Sequence, residues 1–400
     1  MGEPLNIVVG VTGGIAAYKA VGVIRGFVLA GHDVHVVATD AALRFVGKPT
    51  LEAISRNIVH TDLYEGVAEV RHVALGQAAD LIVIAPATAN TIAKLAVGLA
   101  DDLLGTTVLA SRAPVVIAPA MHTEMWQHPA TVRNIALLRS RGVIVVGPVA
   151  GQLTGADSGQ GRLEEPEEIV RAALAVLMPK DLVGRRLLIT AGGTREALDP
   201  VRYLGNRSSG KQGVELAIAA AARGAEVTLI GANLEVTAPV SLRVLRVGST
   251  LELAAAVENA AGDAKVVIMA AAVADYRPEL IADSKIKKEF AGDRLTLELV
   301  KTPDILAALA TARPPGQLLV GFAAETEPDS DARLALGRAK IARKGCDLLV
   351  LNRVGWTEGF GTDTTTVTVL DRLGDIVMEA SGSKQSVANR ILDVVVERLT

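Results

Sequence analysis

Two segments of this chain share one order of features: an apolar strand, a pair of glycines and then a helix. They read "NIVVGVTGGIAAYKA" from Asn6 and "RLLITAGGTREAL" from Arg186. A chain that turns out of a parallel sheet in this way leaves N–H groups free at the start of the helix, where an anion is stabilised. The sequence therefore predicts two such sheets, each with a place for a phosphate-bearing ligand at the carboxyl ends of its strands.

Short β-rich runs alternate with segments of helical periodicity along most of the chain. The runs are 7–11, 34–38, 81–85, 115–118 and 143–146, then 187–190, 226–230, 244–247, 266–270, 318–321 and 348–351. This alternation predicts an α/β fold of doubly wound parallel sheets. Two later stretches, "AGDRLTLELVKTPDIL" and "TTTVTVLDRLGDIVME", are typical of additional antiparallel strands. Because 400 residues are too many for one core, we predict two domains, 1–179 and 185–400.

Charge and cysteine content exclude several classes of function. The formal charge of −3 gives no general reason to bind nucleic acid or an anionic membrane. The single cysteine, Cys346, excludes an internal disulfide framework and cysteine-based zinc sites, and we expect it to be buried. No basic segment typical of a signal peptide opens the chain, and no apolar run reaches about 18 residues. These features predict a cytoplasmic protein.

The strand ends of the first half carry candidate ligand-binding side chains. "GVTGG" at Gly10 lacks the third glycine of the dinucleotide fingerprint, and Thr39 stands where that fingerprint has an acidic residue, so a phosphate or ribityl chain suits the turn better. A purely structural tight turn is equally consistent with the same residues. "PATANT" at Pro86 offers several hydroxyl groups, which either bind a ligand or cap a helix. Met and Trp in "PAMHTEMW" at Pro119 line either a flat-ring pocket or the core.

These motifs together resemble a known family. "GVTGGIAAYKA", "ATDAA", "RHV", "PATANT" and "PAMHTEMW" resemble homo-oligomeric flavin-containing cysteine decarboxylases. "TAGGTREALDPVRYLGNRSSGKQG", "AAVADYRP", "KIKK", "KTPDIL" and "GFAAET" resemble phosphopantothenate–cysteine ligases. In this order they cover nearly the whole chain, as in bifunctional coenzyme A biosynthesis enzymes. The resemblance implies a flavodoxin-like or Rossmann-like FMN domain followed by a Rossmann-like ligase domain with extra antiparallel strands.

The resemblance also implies roles for residues of the first half. FMN would be held by Thr12, Gly13, Thr39, Thr88, Asn90 and Thr91, and the substrate by Met121, His122, Met125 and Trp126. Oxidation of the substrate thiol by FMN before decarboxylation would provide an electron acceptor for the breaking C–C bond, and the flavin would later return the hydride. His72 matches the active-site histidine and would act as the base, although a lone histidine is more often a structural surface residue.

Two positions depart from the family pattern. His122 stands where these decarboxylases commonly have asparagine, and its imidazole can still donate a hydrogen bond to the substrate. The glycine-rich flap, about 150–163, has Thr154 at or beside the position of a proton-donating cysteine. A hydroxyl is far less acidic than a thiol, so we expect either another donor, such as a water held by Thr154 or Asp157, or a different final step. The glycines of the flap favour closure over the flavin.

For the second half, the resemblance implies ligation through an acyl-cytidylate made from CTP. Asn206 would handle that intermediate, and Arg207, Ser208, Ser209 and Gly210 would cradle a phosphate or the activated acyl group. Lys285, first of "KIKK", matches an essential lysine, although a basic run is usually a solvated surface. Asp275 would contact the nucleotide and help to hold Mg2+. The other nucleotide contacts would be Met269, Ala270, Ala271, Pro303, Asp304, Ile305, Leu306, Phe322, Lys340 and Lys344.

The implied substrates are 4'-phosphopantothenate, L-cysteine and CTP, with neither nucleic acid nor membrane as a partner. The resemblance further implies trimeric flavin domains with sites between subunits and dimeric ligase domains, hence a dodecamer. Two alternatives remain at this stage. One is a flavin-binding regulatory subunit that lacks catalysis, against which His72 and the ligase motifs argue. The other is a flavin prenyltransferase-like enzyme, which would not need the second half.

Overall fold

The computed structural model describes residues 4–63, 71–152, 158–239, 242–287, 294–355, 359 and 361–399. The chain divides into two compact units, Met1–Leu177 and Met178–Thr400, and each is described here by itself. Within the ranges just given, no helix is both long enough and apolar enough to span a membrane.

A five-stranded parallel sheet forms the centre of the first unit. Its order is β2-β1-β3-β4-β5, with β1 (Asn6–Val11), β2 (Asp33–Ala38), β3 (Leu81–Ala87), β4 (Val115–Pro119) and β5 (Ile144–Val145). The described helices are α1 (Ala20–Leu29), α2 (Lys48–Ser55), α3 (Arg71–Ala78), α4 (Ala89–Val97), α5 (Leu103–Leu109), α6 (Thr123–Gln127), α7 (Pro129–Ser140) and α8 (Pro166–Val176). A 3-10 helix, Ile15–Lys19, precedes α1. The parallel sheet agrees with the predicted fold class.

Both faces of this sheet are covered by apolar side chains. Val9 of β1 packs into a cluster with Phe27 of α1 and Ile169 of α8. The neighbouring Val8 points to the opposite cluster, with Ile92 of α4. Successive strand residues face opposite sides, so a strand buried on both faces must be apolar throughout. This explains why the first unit reads as continuous apolar runs and why the threonines predicted to bind a ligand follow its strands and do not lie within them.

The segment 147–163 has regular structure that its sequence does not suggest. Two short strands, β6 (Val149–Gln152) and β7 (Ser158–Arg162), pair antiparallel. The stretch expected to form a flap, about 150–163, thus includes paired strands that the sequence did not predict. Glycine and polar residues alternate too weakly to predict strands, and the backbone of Gly161 is fixed instead by a bond from Met121 N at 3.0 Å. Thr154 and Asp157, predicted to hold the proton donor, lie outside the described residues.

The second unit contains an eight-stranded mixed sheet in the order β12-β11-β8-β13-β16-β17-β18-β19. Its members are β8 (Arg186–Gly192), β11 (Glu226–Ala232), β12 (Arg243–Val247), β13 (Val266–Met269), β16 (Leu318–Glu325), β17 (Leu348–Arg353), β18 (Thr364–Asp371) and β19 (Ile376–Ser383). The last two strands run antiparallel, as predicted. Two small antiparallel pairs join β9 (Arg195–Ala197) to β10 (Tyr203–Gly205) and β14 (Tyr276–Pro278) to β15 (Leu299–Lys301).

Helices cover both faces of this second sheet. They are α9 (Lys211–Ala222), α10 (Thr250–Ala261), α11 (Ile305–Ala312), α12 (Ser330–Lys344) and α13 (Lys384–Glu397). Helices α9 and α13 pack on one face, where Ala217 and Ile391 join one apolar cluster. Leu253 of α10 and Ile341 of α12 belong to the cluster on the other face. The strand ends between these two layers form the second candidate site.

Cys346 is buried just before β17, with 1% of its surface exposed, as the sequence predicts. Burial raises the pKa of its thiol from an ordinary 9.0 to about 11. The folded state favours the neutral thiol, so this contribution to stability is complete below pH 9 and is lost as the pH rises towards about 11. We expect the second unit's free energy of unfolding to fall by about 3 kcal/mol more in the wild type than in Cys346→Ala over that interval.

Urea unfolding of both proteins at several pH values measures this difference. An alkylating reagent at pH 8 is expected to label Cys346 only once the second unit unfolds. Equal pH dependence in the two proteins, or fast labelling of the native chain, would contradict the buried neutral thiol.

Candidate active sites

Hydroxyl groups connect the ends of β1 and β3 in the first unit. Thr12, 1% exposed, donates to the carbonyl of Pro86 at 2.6 Å and accepts from the N–H of Thr88 at 3.2 Å. Thr88 in turn is the N-cap of α4, and its hydroxyl accepts from Thr91 N at 3.4 Å. The capping role expected for Thr88 is therefore present. Both β-strand ends are held in register at the edge where open α/β sheets bind ligands.

A cavity of about 1130 Å³ opens at this edge; we call it the first-unit cavity. A Cβ on Gly13 would lie 2.3 Å from Cβ of Ala41, so only glycine lets the turn approach its neighbour this closely. All predicted cofactor contacts line the cavity, namely Thr12, Gly13, Thr39, Thr88, Asn90 and Thr91. The turn continues into a 3-10 helix at Ile15 instead of the α-helix that its sequence favours.

The opposite wall of the first-unit cavity comes from the loop after β4 and from the β6–β7 hairpin. Met121, His122 and Met125 line it, together with Gly161 and Arg162. A Cβ on Gly161 would lie 2.1 Å from the carbonyl oxygen of Met121, which fixes glycine at this contact.

Two residues predicted for this site do not line its cavity within this chain. Trp126 packs against the apolar cluster beneath α4 and α7. His72 lies half-buried on α3.

Charged side chains that sequence reasoning did not select also line the first-unit cavity. Lys94 Nζ lies 2.6 Å from Asp101 and 3.2 Å from Asp102. The hydrogen bond between Lys94 and Asp101 lowers the pKa of the Asp101 carboxyl. The same bond raises the pKa of the Lys94 amine. Asp102 also caps α5 through Gly105 N at 2.7 Å. The presence of these charges beside the predicted flavin contacts depends on the tertiary fold, which no local pattern in the sequence records.

In the second unit, threonine hydroxyls hold the loop that follows β13. Thr190 accepts from Ala271 N at 3.0 Å and Thr194 accepts from Ala274 N at 2.9 Å. The predicted residue Asn206 donates from Nδ2 to the carbonyl of Ala272 at 3.0 Å. The glycine turn at 192–194 and the segment at 206 thus meet the loop 270–275 at one sheet edge, as predicted for ligand-binding strand ends.

A cavity of about 100 Å³ lies beside this loop, at the N-terminus of α9; we call it the second-unit cavity. Gly210, the N-cap of α9, has a φ of +87°, and a Cβ there would lie 2.5 Å from Leu234. Five of the predicted site residues line the cavity together with Gly210: Ser208, Ser209, Ala270, Ala271 and Phe322. Liquid water occupies about 30 Å³ per molecule, so this space holds a group of a few heavy atoms.

Two lysines bring positive charge to the second-unit cavity. Lys384, the first residue of α13, is 7% exposed, and its Nζ donates to the carbonyl of Gly359 at 3.2 Å. Lys211, which also lines the cavity, pairs with the exposed Asp363 at 2.7 Å. Burial, followed by the charge of Lys211, lowers the pKa of Lys384. Sequence reasoning missed Lys384 because it lies in the last helix, far along the chain from the glycine turn whose cavity it lines.

The predicted nucleotide contacts form a second group. Asp304 caps α11 through Ala307 N at 3.2 Å and pairs with Lys344 Nζ at 2.6 Å. Burial opposes the charge of Asp304, but Lys344 and the cap outweigh it and lower its pKa. Lys340 pairs with Glu325 at 2.7 Å, on the same helix as Lys344. The remaining predicted members of this group lie on β13 or near the start of α11: Met269, Pro303, Ile305 and Leu306.

Lys285 and Asp275 are both exposed, and neither lines the second-unit cavity. Arg207 is also absent from that lining. The carbonyl of Asp275 accepts from Thr302 N at 3.0 Å, which links it to the segment before Pro303. Across the described part of the chain, no three His, Cys, Asp or Glu side chains group to hold a metal ion. The assignment of Mg2+ to Asp275 therefore stays a prediction.

Comparison with known families matches both units. The family described as Flavoprotein matches residues 1–178, and the DNA/pantothenate metabolism flavoprotein C-terminal domain matches residues 182–399. The coenzyme A biosynthesis bifunctional protein CoaBC of Mycobacterium tuberculosis is 52% identical over 98% of this chain and 96% of its own. The proteins of the same name from Vibrio cholerae and Escherichia coli K12 are 42% and 41% identical, over 98% of this chain.

The two units thus define a flavoprotein joined to a pantothenate-metabolism domain. With this identity over almost its whole length, the chain belongs to the family of coenzyme A biosynthesis bifunctional proteins, CoaBC. The predicted family and α/β fold class are confirmed, and so is an enzyme of coenzyme A biosynthesis with ligase and decarboxylase activities.

Proposed function

We propose that the first unit binds FMN in the first-unit cavity and decarboxylates phosphopantothenoylcysteine to 4'-phosphopantetheine. The observation that carries this is the joint presence there of all six predicted flavin contacts, beside a turn that only glycine at position 13 permits. The volume of about 1130 Å³ suits a ligand of that size. Backbone N–H groups and hydroxyls can hold a phosphate and a ribityl chain, and Met121 and Met125 can contact a flat ring.

When bound, FMN supplies reversible two-electron chemistry, so the substrate can lose CO2 without net oxidation. The residues of this chain bind the flavin and orient the substrate. His122 and Arg162, which line the cavity, can contact the substrate carboxylate or phosphate, and Lys94 adds a positive charge balanced by Asp101 and Asp102. His72 takes the thiol proton as base. Because it does not line the cavity of its own chain, we infer that a neighbouring subunit supplies it.

Exposed apolar side chains support such an assembly. Ile15 and Tyr18 line the mouth of the first-unit cavity and are 59% and 62% exposed. We propose trimeric flavin units and dimeric ligase units, which together give a dodecamer. Light scattering of the purified full chain measures the mass directly, and a monomer with full decarboxylase activity would contradict a site shared between subunits.

We propose that the second unit ligates 4'-phosphopantothenate to L-cysteine with CTP and Mg2+ through an acyl-cytidylate. The substrate carboxylate attacks the α-phosphorus of CTP and releases pyrophosphate, and the cysteine amine then displaces CMP. Lys285, Lys340 and Lys344 supply positive charge for the triphosphate. Asp275 would help to hold the Mg2+ that accompanies CTP, since Mg2+ commonly takes one or two carboxylates together with phosphate oxygens. Asn206, held at the loop 270–275, contacts the acyl-cytidylate.

Mass spectrometry of products from phosphopantothenate, cysteine and CTP tests both halves. Pyrophosphate, CMP and CO2 are expected in equal amounts, with phosphopantetheine as the final product. A parallel reaction with ATP tests the choice of nucleotide. A colourless protein that forms no product would contradict both proposed activities. A yellow protein that releases neither pyrophosphate nor CO2 would favour a flavin-binding regulatory subunit.

Within this function, the second-unit cavity is the place for the phosphate of phosphopantothenate. Lys384→Met keeps the shape of the side chain and removes its charge, so we expect about tenfold to hundredfold weaker use of phosphopantothenate with little change in the KM for CTP. Lys265→Met, at a half-buried lysine of the same unit whose Nζ also donates to a backbone carbonyl, is the matched control. Steady-state kinetics with both phosphopantothenate and pantothenate measures the effect. An equal loss for the two substrates would contradict recognition of the phosphate.

A further inference from the structure

Hydrogen bonds from two side chains hold the loop that carries Lys285 at Ile286. Asp199, 3% exposed, accepts through Oδ2 from Ile286 N at 3.1 Å. Arg202 donates from its guanidinium to the carbonyl oxygen of Ile286. The N–H and the C=O of Ile286, which belong to the successive peptide units 285–286 and 286–287, are therefore both bound to side chains from the 199–202 turn. The turn and the lysine loop meet again where Ala282 N donates to the carbonyl of Leu198 at 3.0 Å.

Asp199 uses both carboxylate oxygens for this contact. Its Oδ1 accepts from the N–H groups of Val201 and Arg202, each at 2.8 Å, and its Oδ2 also accepts from Arg202 Nε at 3.0 Å. Burial pushes the pKa of Asp199 up, but the N–H groups of Ile286, Val201 and Arg202 outweigh it and hold the pKa below its ordinary value. The carboxylate is thus charged at neutral pH. An amide in its place would have one acceptor oxygen for four donors.

The consequence concerns the side chains on either side of Ile286. Lys285 and Lys287 are exposed, and within the described part of the chain neither side chain forms a hydrogen bond or ion pair that would fix its direction. The peptide units on both sides of the Ile286 Cα are each held by one hydrogen bond, which sets the direction of the Cα–Cβ bonds of Lys285 and Lys287. The direction of the Lys285 side chain is therefore set by residues that lie more than eighty positions earlier in the chain.

We propose that Asp199, together with Arg202, is a positioning residue for Lys285. It touches no substrate and acts by orienting the lysine that stabilises the phosphates of CTP. The proposal rests on the function proposed for Lys285. The competing explanation is that Asp199 only stabilises its own turn, 199–202, and affects ligation through general loss of structure.

Two measurements on the full chain separate these explanations. The first is the rate of tryptic cleavage after Lys285 in the native protein, which depends on local opening of the loop. Asp199→Asn is expected to raise this rate about tenfold, because the bond to Ile286 is lost. The matched control is Glu196→Gln, a carboxylate of equal burial that holds Thr250 at 2.8 Å and not the lysine loop. It is expected to leave the cleavage rate unchanged.

The second measurement is a double-mutant cycle on pyrophosphate release. Asp199→Asn alone is expected to lower kcat/KM for CTP about tenfold to hundredfold, since small misplacements of catalytic groups have effects of that size. In the Lys285→Gln background the same substitution is expected to have no further effect, because the lysine that Asp199 orients is absent. Equal losses in both backgrounds, or unchanged cleavage after Lys285, would overturn the positioning role.

Arg202→Met provides a second variant should Asp199→Asn fold poorly. It keeps the carboxylate and removes the bond to the carbonyl of Ile286, so faster cleavage and the same non-additivity with Lys285→Gln are expected. Slow cleavage in this variant would count against the proposal. If Lys285→Gln itself retains full activity, the proposed role of Lys285 fails, whereas the cleavage rates still report whether Asp199 holds the loop.

Discussion

Lys285→Gln is expected to lower CTP-dependent ligation about a hundredfold, and decarboxylation of supplied phosphopantothenoylcysteine should continue at its normal rate. Removing one cation from charge that develops in a partly desolvated site typically costs about 3 kcal/mol. Lys285 is exposed in a loop whose backbone is fixed on both sides of Ile286, which is the arrangement expected of a side chain held ready for a ligand. The flavin contacts lie in the other unit, so the two activities should separate.

Lys287→Gln is the matched control, because Lys287 is also exposed and is the residue on the other side of Ile286. Assays of pyrophosphate release and of CO2 release on each variant measure the two activities independently. A solvated basic surface predicts that both lysine variants keep nearly full ligation, with only a small change in salt dependence. That result would remove Lys285 from the mechanism.

His72→Asn is expected to abolish CO2 release while CTP-dependent ligation remains largely intact. The physical reason is that an amide cannot take up the thiol proton near neutral pH, whereas an imidazole can. FMN content, read from the visible spectrum, should stay unchanged, because His72 is not among the residues proposed to hold the flavin.

His128→Asn is the control, since this exposed histidine caps α7 through Ala130 N and asparagine can serve the same role. If subunits share the site, inactive His72→Asn chains mixed with chains altered at Thr12 should regain part of the decarboxylase activity on reassembly. Wild-type CO2 release by a folded, FMN-bound His72→Asn protein would show that another group is the base.

The fold was predictable where burial dictates residue type. Strands such as β3 are buried at every position, so only apolar residues serve there and the run is plain in the sequence. The β6–β7 hairpin was not predictable, because its strands are short, rich in glycine and exposed at alternate residues without an apolar pattern. The 3-10 helix at Ile15 was also missed, since apolar spacing does not distinguish it from the start of α1.

The candidate sites were predictable to the extent that they lie in contiguous motifs at strand ends. The six predicted flavin contacts and the predicted Ser208–Gly210 cradle are of this kind, and each group lines one cavity. Groups brought in by tertiary structure were missed. Lys384 comes from the last helix, and Asp199 reaches Ile286 through a contact that no local pattern records. Nor could the sequence indicate that His72 stands apart from its own cavity.

The burial of Cys346 has a consequence for the redox behaviour of the protein. It is the chain's only cysteine, and its thiol is both covered and held neutral at physiological pH. Disulfide exchange requires an accessible thiolate, so this chain has none to offer. The proposed substrate, L-cysteine, and the proposed product, a thiol, both oxidise readily. The second unit is proposed to bind L-cysteine and the first to release the thiol product. Because the chain has no accessible thiol of its own, it cannot form a mixed disulfide with either compound.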